Sequence, residues 1–559
     1  SEKLTVYGGG FPSGDAWTMN RIFGMINMGD ANSYPDENKY VNEYNVPETT
    51  QSWFGRVNYS YLGRYLLTAT MRADGSSKFG PNHHWGYFPA TALAWRISDE
   101  PFMKSASKWL DNLKLRISYG TAGNDNINSS LWHETYTAST GVWDEKTVQI
   151  YSPSGLKENP DLKWETTISR NIGFDFGFVN RINGTLDLYW NTTKDLLMNQ
   201  EIDSSTGYSH QYTNIGQTSN KGLELALNAA LVRSKKFNLN FNFTYNLNYN
   251  NVDKLKDDAD ILYGSGWGSS SLMPANDYLL TEGRPVGLVR GYTSDGFYTV
   301  NDFNYINGKY VLKNGIPDIS ASIFVSYPIP GEMKDKLPNG QNAFPGAIKL
   351  KDRNGSGTVD ADDVSVIGKT QPHHTGGFGL SGNWKNFDFR TNFTYQIGGK
   401  VYNAAAMTEY TGGKESGYGK NRRGYLSDYY KLYDVVNGQL TAVTDPEALN
   451  TLNANAGHPL PFYEASIVLS EYLEDASFLR MSDITIGYTL PKEWIRKLCI
   501  NSARIYATMS NVFCITGYSG YDPEVNTDMN RNDSYPTMGM DYGSYPRSRS
   551  FTIGLNVKF

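Results

Sequence analysis

The segment from Asp352 to Asp363, DRNGSGTVDADD, has the residue types and spacing of a loop that holds a divalent cation. Oxygen donors recur at alternate positions, a glycine allows a sharp turn at the sixth position, and a carboxylate occupies the twelfth. The candidate ligands are the side chains of Asp352, Asn354, Ser356, Asp360 and Asp363 and the carbonyl of Thr358. A serine at the fifth position, and an aspartate where the longer glutamate is usual, depart from the pattern. Two interpretations stay open: a bound Ca²⁺ or Mg²⁺ that stiffens the loop, or a glycine-rich acidic turn without metal.

Four aromatic residues in long loops are candidates for a ligand-binding surface: Trp132, Trp143, Tyr263 and Trp267. The first two lie in the segment 123–162, and the other two lie in LYGSGWGSS. Flat apolar rings suit the faces of sugars, and they suit protein contacts equally well. Both ligand stacking and packing of loop on loop, or against a partner protein, therefore remain open, and packing is the preferred interpretation.

Sequence motifs that are typical of catalytic sites are sparse. The histidine pairs at 83–84 and 373–374 do not chelate by themselves, because adjacent strand residues face opposite sides, and we expect solvated loop residues. The stretch VIGKT at Val366–Thr370 ends like a phosphate loop, but Asp363 stands where the first glycine is needed. The sequence contains no GxSxG, HExxH or CxxC motif. We therefore expect no enzymatic activity.

The elements that position these residues are indicated by the stretch Phe237–Tyr249, FNLNFNFTYNLNY. Its odd positions are apolar or aromatic and its even positions are Asn or Thr, and this period of two predicts a β-strand. At about 3.3 Å per residue the stretch reaches roughly 43 Å, enough to cross an apolar band about 25 Å tall at a tilt near 40°. The aromatic face would contact lipid, and the amide face would line a hydrated interior.

Twelve further segments alternate in the same way, so the sequence predicts thirteen strands. They are Trp53–Tyr61, Tyr65–Asp74, Gly86–Ile97, Asn112–Ala122, Trp164–Phe178, Gly184–Met198, Ser219–Leu231, Phe237–Asn250, His373–Trp384, Phe387–Ile397, Asp475–Leu490, Ser502–Cys514 and Arg547–Phe559. The last one ends on the terminal Phe559, as is typical of outer-membrane barrels. A closed bacterial barrel of one chain has an even number of strands, so we expect at least one more strand, either Leu4–Gly8 or upstream of Ser1.

The connections between these strands are alternately short and long. Barrels of this type have short periplasmic turns and long extracellular loops. We therefore expect extracellular loops near 123–162, 252–371, 398–473 and 515–545. Two periplasmic links, 98–111 and 491–501, look helical and are expected to form short caps.

Composition limits the class of protein. The chain has 559 residues, a net charge of -6, a hydrophobic fraction of 39% and an aromatic fraction of 14%. No run approaches the roughly eighteen apolar residues of a membrane helix, and the mild acidity argues against nucleic-acid binding. Cys499 and Cys514 lie near the two ends of one predicted strand, up to about 50 Å apart, so they cannot pair. The first residues lack a secretory signal, so we expect that residues preceded Ser1 in the exported precursor.

Several stretches resemble the SusC/RagA-type TonB-dependent transporters of Bacteroidota. In chain order they are RVNYSYLGRYLLTATMRADGSSKFG, WGYFPATALAWRISDEPF, LKLRISYGTAGNDNI, NPDLKWETT, NIGQTSNKGLEL, KDRNGSGTVDADD, ASFLRMSDITIGYTLP and TGYSGYDPE, followed by the terminal Phe559. The resemblance covers nearly the whole chain, and these segments in this order are highly specific.

The resemblance implies an all-β fold, a transmembrane antiparallel β-barrel of which residues 1–559 form the C-terminal portion. About 13–14 strands of a 22-stranded barrel would be present, without the plug domain and the TonB box. It also implies multi-pass insertion in the bacterial outer membrane, contact with outer-membrane lipid, and active import of a large nutrient, an oligosaccharide or an oligopeptide.

The implied partners are a SusD-like surface lipoprotein that closes the barrel as a lid, TonB acting through an N-terminal region, and the rest of the same transporter. A passive porin or a surface-adhesin barrel stays open as an alternative. An outer-membrane hydrolase would need a cluster of Ser, His and acid, which the sequence does not show.

Overall fold

A computed structural model describes residues 48–129, 131–143, 146–256, 259–267, 272–324, 329–411, 428–460, 466–496, 500–527 and 537–559. Strands dominate these residues, and they fall into one large antiparallel sheet, the wall, and many short strands in the loops. Within the described ranges, no helix has the length and apolar character that spanning a membrane requires.

The wall has thirteen strands that follow one another along the chain. They are β1 (Thr50–Tyr61), β2 (Tyr65–Ser76), β3 (Trp85–Arg96), β4 (Leu110–Asn124), β5 (Glu165–Phe178), β6 (Ile182–Glu201), β7 (His210–Arg233), β8 (Phe237–Lys254), β9 (His374–Trp384), β10 (Phe387–Ile397), β11 (Phe478–Thr489), β12 (Ser502–Thr516) and β13 (Ser550–Lys558). Each overlaps one of the alternating segments, so all thirteen predicted strands are confirmed, with bounds that differ by up to three residues in strands such as β11 and β13.

Each wall strand pairs with the next one in the chain, so the wall is a simple meander. A short strand, Leu156–Lys157, joins it by pairing in parallel with the first residues of β7. In the part of the chain that the structure describes, β1 pairs only with β2, and β13 pairs only with β12. The candidate strand Leu4–Gly8 lies outside the described residues.

The connections alternate between the two ends of the wall, as predicted. At the short-turn end, the links are 62–64, 97–109, 179–181, 234–236, 385–386 and 490–501. The expected helical caps are present there, with 3-10 helices at Ile97–Asp99 and Pro101–Lys108 and an α-helical turn at Lys492–Ile495. At the opposite, long-loop end, β8 pairs directly with β9, so residues 255–373 form one excursion.

The wall has a polar face and an apolar face, because paired residues on neighbouring strands point to the same side. In the middle of β8, Asn242 pairs with Asn228 of β7 and with Gly379 of β9. The next residue, Phe243, pairs with Leu227. The separation of amides from aromatic rings that the sequence predicts for this strand is confirmed.

Strand β7 is much longer than its alternating segment. It runs through 24 residues, from His210 to Arg233, whereas the alternation predicted Ser219–Leu231. The additional residues pair with the end of β6 through irregular register between Asn214 and Gln217. These bulges break the period of two, so alternation alone could not reveal the extension.

The loops contain many short elements. The strands are Tyr136–Trp143, Lys146–Pro153, Ile261–Tyr263, Leu272–Met273, Tyr278–Leu280, Leu288–Gly291, Ser294–Phe297, Phe303–Ile306, Lys309–Leu312, Asp318–Ile319, Ile348–Leu350, Thr358–Val359, Ser365–Lys369, Lys400–Asn403, Tyr433–Val436, Gln439–Ala442, Ser466–Ile467, Leu473–Asp475 and Met540–Asp541. The α-helices are Ala321–Phe324, Gly331–Lys334, Ala404–Thr411 and Pro446–Leu452, and 3-10 helices occur at Ser204–Thr206, Val300–Asp302, Ala361–Asp363 and Ser470–Tyr472.

Candidate functional site

The long-loop end carries a hydrophobic core of its own, which we call the loop core. Its buried residues come from three separate segments, 252–371, 398–473 and the stretch around Met540, together with Met198 at the end of β6. Several large side chains in it are fully buried, among them Tyr298 and Phe344. These three loop segments therefore form one packed body at the long-loop end, whereas the loop near 123–162 has a separate small core around Leu131 and Leu162.

Tyrosine hydroxyls tie the distant segments of the loop core together. Tyr278 donates a hydrogen bond to the carbonyl of Met538 at 2.6 Å, and Tyr310 donates one to the carbonyl of Thr444 at 2.9 Å. Tyr402 is completely buried, and this desolvation raises its pKa far above the ordinary value of a phenol. Each bond satisfies a polar group that would otherwise be costly to bury, so the tyrosines fix how the loops meet.

Two of the four candidate aromatic residues lie inside the loop core. Tyr263 and Trp267 are only 5% and 3% exposed. The ring of Tyr263 packs 5.4 Å from that of Tyr278, and the indole of Trp267 packs 5.7 Å from the ring of Tyr402. This placement agrees with the packing of loop on loop that the sequence favoured.

The other two candidates are far from the loop core in sequence. The Trp132 indole is half-buried and donates from Nε1 to the carbonyl of Ser77 at 3.2 Å. Trp143 pairs with Lys146 at the tip of a hairpin, and its side chain is outside the described part of the structure. Of the four, Trp132 is the one with a described side chain that is partly exposed.

The acidic loop is ordered by bonds to its own backbone. The Asp352 carboxylate accepts from the backbone N–H groups of Gly355 and Gly357, both at 2.7 Å, and these bonds hold its pKa below the usual range. Asp363 is 1% exposed and accepts from the backbone N–H groups of Arg353 at 2.7 Å and Asp360 at 2.9 Å. In the described ranges, no three or more His, Cys, Asp or Glu side chains are placed to hold a metal ion.

The candidate ligands thus form a turn that satisfies itself, and its carboxylates do not converge on one point. Asn354 accepts from the Ser356 N–H at 2.8 Å, and the Ser356 hydroxyl donates to the Thr358 carbonyl at 2.8 Å. The arrangement as it stands does not fit a coordinated cation. A bound Ca²⁺ or Mg²⁺ stays a prediction.

A buried carboxylate in the loop core was not singled out from the sequence. Asp277 is 0% exposed and accepts two hydrogen bonds from Ser265, from its backbone N–H at 2.7 Å and from its hydroxyl at 2.6 Å. Burial outweighs these bonds and raises the pKa of Asp277 to about 6. Two donors 12 residues away do not stand out in a linear sequence, so no signal marked this pair.

An ion-pair network joins the wall to the last long loop. The buried Arg480 on β11 binds Asp522 at 2.6 Å and Glu524 at 2.7 Å, and Arg547 reaches the same two carboxylates at 3.3 and 3.2 Å. Four charges in a closed ring compensate one another, which a single buried charge could not do. The network holds the GYDPE segment against the rim of the wall.

The polar face of the wall carries both paired and unpaired charges. Arg116 lies between Asp175 at 2.8 Å and Asp187 at 3.1 Å. Nearer the short-turn end, a cavity of about 570 Å³ is lined by asparagines and by three arginines, Arg181, Arg233 and Arg390. These arginines come from three distant places in the chain, and only the strand register brings them together.

The histidines at 373–374 differ from the expectation of solvated loop residues. Both are half-buried, and His374 begins β9. The hydroxyl of Tyr245 lies 2.8 Å from Nδ1 of His374, and the ring of Tyr249 packs 4.7 Å from that of His373. That expectation was wrong for this pair, because pairing of β8 with β9 brings the tyrosines beside them.

Comparison with known proteins agrees with this architecture. Residues 4–558 match the family model described as TonB dependent receptor-like, beta-barrel. The TonB-dependent receptor P3 of Formosa agariphila is 30% identical over 525 residues, which cover 93% of this chain and 46% of that protein. The TonB-dependent receptor SusC of Bacteroides thetaiotaomicron is 30% identical over 528 residues, which cover 92% of this chain and 44% of that protein. The chain spans about half the length of the curated relatives it matches.

The fold is also similar to that of a solved structure, the RagAB peptide transporter. The match has a TM-score of 0.67 at 22% sequence identity and covers 98% of this chain and 50% of that one. Members of this family are outer-membrane receptors and not enzymes, so the short-turn end is periplasmic, the long-loop end is extracellular and the apolar face contacts lipid. The family match over residues 4–558 shows that this chain belongs to the TonB-dependent receptor β-barrel family and forms wall and extracellular loops of an outer-membrane barrel, with SusC among its relatives.

Proposed function

We propose that the protein containing this chain imports a large nutrient, an oligosaccharide or an oligopeptide, across the outer membrane, energised by TonB. The observation that carries the proposal is the loop core. Three separate loop segments pack into one body at the extracellular end of the wall. A preformed surface of this kind suits a lid that must close in a fixed position.

The proposed lid is a SusD-like surface lipoprotein that docks on the extracellular loops. The exposed loop surface offers apolar side chains for such contact, including Leu440, which is 71% exposed, and Val435, which is 66% exposed. Val435 and Leu440 pair across one hairpin and so lie side by side, and contiguous exposed apolar side chains are typical of interaction sites. The lipoprotein would open, capture ligand and close, after which TonB would open a path through the barrel.

The remaining partner is the rest of the same transporter. In the described part of the chain, the outer edges of β1 and β13 have no partner strand, and unpaired backbone groups cannot face lipid because no water satisfies them there. Further strands of the same barrel, of which there would be about 22 in all, would pair with both edges. A plug that fills the interior would then face the asparagines and arginines of the polar face.

Two classes of substrate are proposed, each supported by a different observation. RagAB is described as a peptide transporter, and its likeness to this chain supports an oligopeptide as one candidate. The partly exposed indole of Trp132 suits stacking on a sugar, which supports an oligosaccharide as the other. Tyr263 and Trp267 would serve the site indirectly, by holding loops in place, and Trp143 stays a candidate for ligand contact.

A passive porin or a surface-adhesin barrel is the second candidate function. The polar face of the wall and the cavity lined by Arg181, Arg233 and Arg390 favour it, since a hydrated channel needs a polar lining. The two proposals differ in their need for energy and for a plug. They also differ in their need for a lid.

The test is uptake of labelled oligosaccharide and oligopeptide mixtures by cells that express the complete gene, with and without TonB. Import above the external concentration that stops when TonB is deleted supports active transport, and uptake that merely equilibrates and ignores TonB indicates a porin. Peptide mass spectrometry of the unheated detergent complex then shows whether a plug and a lipoprotein accompany the barrel. Binding to other cells without any uptake would instead indicate an adhesin.

A further inference from the structure

On the apolar face of the wall, one row of residues paired across neighbouring strands alternates aromatic rings with cations. It crosses five adjacent strands in the order Tyr119, Arg170, Trp190, Lys221 and Tyr249, each paired with the next. We call it the belt row. The rings of Tyr119, Trp190 and Tyr249 are 42%, 42% and 45% exposed, so they face outward and are not packed into a core.

The belt row lies at the extracellular limit of the apolar residues on the lipid-facing side of the wall. On β5, the outward positions on the periplasmic side of Arg170 are Ile172, Phe174, Phe176 and Phe178, and on β7 those on the periplasmic side of Lys221 are Leu223, Leu225, Leu227 and Ala229. Arg170 lies eight residues from Phe178, which is about 20 Å along the membrane normal for a strand tilted near 40°. The apolar band of such barrels is about 25 Å tall, so the belt row lies at its extracellular border.

The two cations of the belt row have no carboxylate in direct contact in the described part of the chain. In the described part of the chain, no ion pair within 4.0 Å involves Arg170 or Lys221, and Arg170 donates only to the Thr192 hydroxyl at 3.3 Å. On the polar face, Arg116 and Arg504 are paired with carboxylates, whereas Arg181, Arg233 and Arg390 line a cavity. Asp253 interacts with Lys221 only through space, and its carboxylate accepts hydrogen bonds from Ser219 at 2.8 Å and from Asn251 at 2.7 Å.

Further cations lie on the extracellular side of the belt row. On β6, Lys194 lies on the same face as Trp190 and four residues nearer the extracellular end. Together with Lys254 and Lys256 it lines a cavity of about 370 Å³. The acid in this cavity, Asp195, is paired with Lys163 at 3.0 Å. The surface just above the apolar band on β5 to β8 is thus rich in cations, although the chain as a whole has a net charge of -6.

We propose that the belt row binds the anionic phosphate groups of a lipid of the outer leaflet. Arg170 and Lys221 are two strands apart, about 10 Å, so two phosphates of one headgroup or of neighbouring headgroups can reach them. A guanidinium binds phosphate through two parallel N–H donors, and the flanking rings fit the boundary between headgroup and acyl chains. The lipid supplies the direct ion-pair partners that the described residues do not offer these two cations.

The test starts from the complete transporter, expressed in its own outer membrane and extracted in mild detergent. Phosphorylated lipid per protein is counted by mass spectrometry for the wild type, for R170Q/K221Q and for the matched control K235Q/K236Q, which removes two exposed lysines at the periplasmic turn. A cation beside an anionic surface strengthens binding roughly fivefold, so R170Q/K221Q should retain lipid about 25-fold more weakly. The control should retain it like the wild type, and equal retention by all three overturns the proposal.

Two further measurements distinguish a bound lipid from a free anion and from a misfolded variant. Vesicles containing a phosphorylated glycolipid should raise the melting temperature of the wild type more than vesicles of phosphatidylcholine, and inorganic phosphate alone should not; stabilisation by free phosphate would mean an adventitious anion site and overturn the proposal. If R170Q/K221Q fails to fold, as judged by loss of its heat-modifiable gel mobility, the charge-preserving R170K/K221R carries the test. It should keep the lipid at low salt and release it as salt rises, and retention that ignores salt contradicts the inference.

Discussion

The wall and the loop core use the same aromatic residues in opposite ways. On the wall, Phe551 and Tyr87 are 75% and 64% exposed, whereas Tyr298 and Phe344 in the loop core are fully buried. The wall turns its rings toward lipid and its amides inward, and the loop core hides its rings from water. The surroundings of each region explain the difference: the wall exposes its rings because lipid is apolar, and the loop core buries its rings because it is surrounded by water.

The largest expected effect is on the loop core. Phe344→Ala should lower the stability of the extracellular region by about 3–5 kcal/mol, because the buried ring leaves a cavity. Phe551→Ala, the same change on the wall, should cost much less, because lipid fills the space. Hydrogen exchange of loop amides in the complete protein measures the first change, and equal losses at both sites would refute the contrast between the regions.

A charge placed on the wall should discriminate between its two faces. Leu225→Arg, on the apolar face, should cost about 2–4 kcal/mol near the middle of the membrane, whereas Thr244→Arg, on the polar face, should be nearly neutral. Urea-dependent folding of the complete barrel into lipid vesicles measures both. A reversed order would show that the polar face is the one in contact with lipid.

The loop core should also respond to pH through Asp277. Its folded pKa is about 6, above the ordinary value of 3.8, so the folded state binds the proton more tightly than the unfolded state does. Stability from this group is therefore complete below about pH 4 and is lost as pH rises through 6, a change of up to about 3 kcal/mol. Asp277→Asn should remove this dependence, as seen in loop hydrogen exchange at pH 4.5 and 7.5, while the wall stays unchanged.

The acidic loop should show the smallest effect. Asp363→Asn replaces a carboxylate that accepts hydrogen bonds from the backbone N–H groups of Arg353 and Asp360. The change should cost roughly 1–3 kcal/mol of local stability. Asp362→Asn is the matched control, because its side chain is exposed. Comparing both variants in Ca²⁺ and in EDTA also tests the cation: protection of the loop that needs Ca²⁺ supports a bound ion, and protection that does not supports the self-satisfied turn.

The wall could be predicted from the sequence almost completely, because a strand between lipid and water carries its pattern in its own residues. Phe237 to Tyr249 needs no distant partner to reveal a lipid face and a hydrated face. The same reasoning missed the first residues of β7, where bulges around Gly216 break the period. It also missed the cavity with Arg181, Arg233 and Arg390, because neighbours across strands follow from register and not from local pattern.

The loop core could not be predicted, because each buried residue depends on a partner far along the chain. The sequence favoured packing for Trp267, but the glycine-rich stretch LYGSGWGSS does not identify its partner, the ring of Tyr402. Tyr310 gives no local sign that its hydroxyl will meet the carbonyl of Thr444. Only the thirteen strands, which bring these loops to one end of the wall, make such contacts possible.

The hydrogen bonds around residues 538–541 have a consequence for biogenesis. Tyr278 donates to the carbonyl of Met538, and the backbone N–H of Tyr402 donates to the carbonyl of Gly539 at 2.7 Å. The ribosome makes this segment after every other part of the loop core. A nascent polypeptide that has not reached it lacks these bonds, so the extracellular body is finished only once this segment has been translated, and a partner that recognises that body would meet completed molecules only.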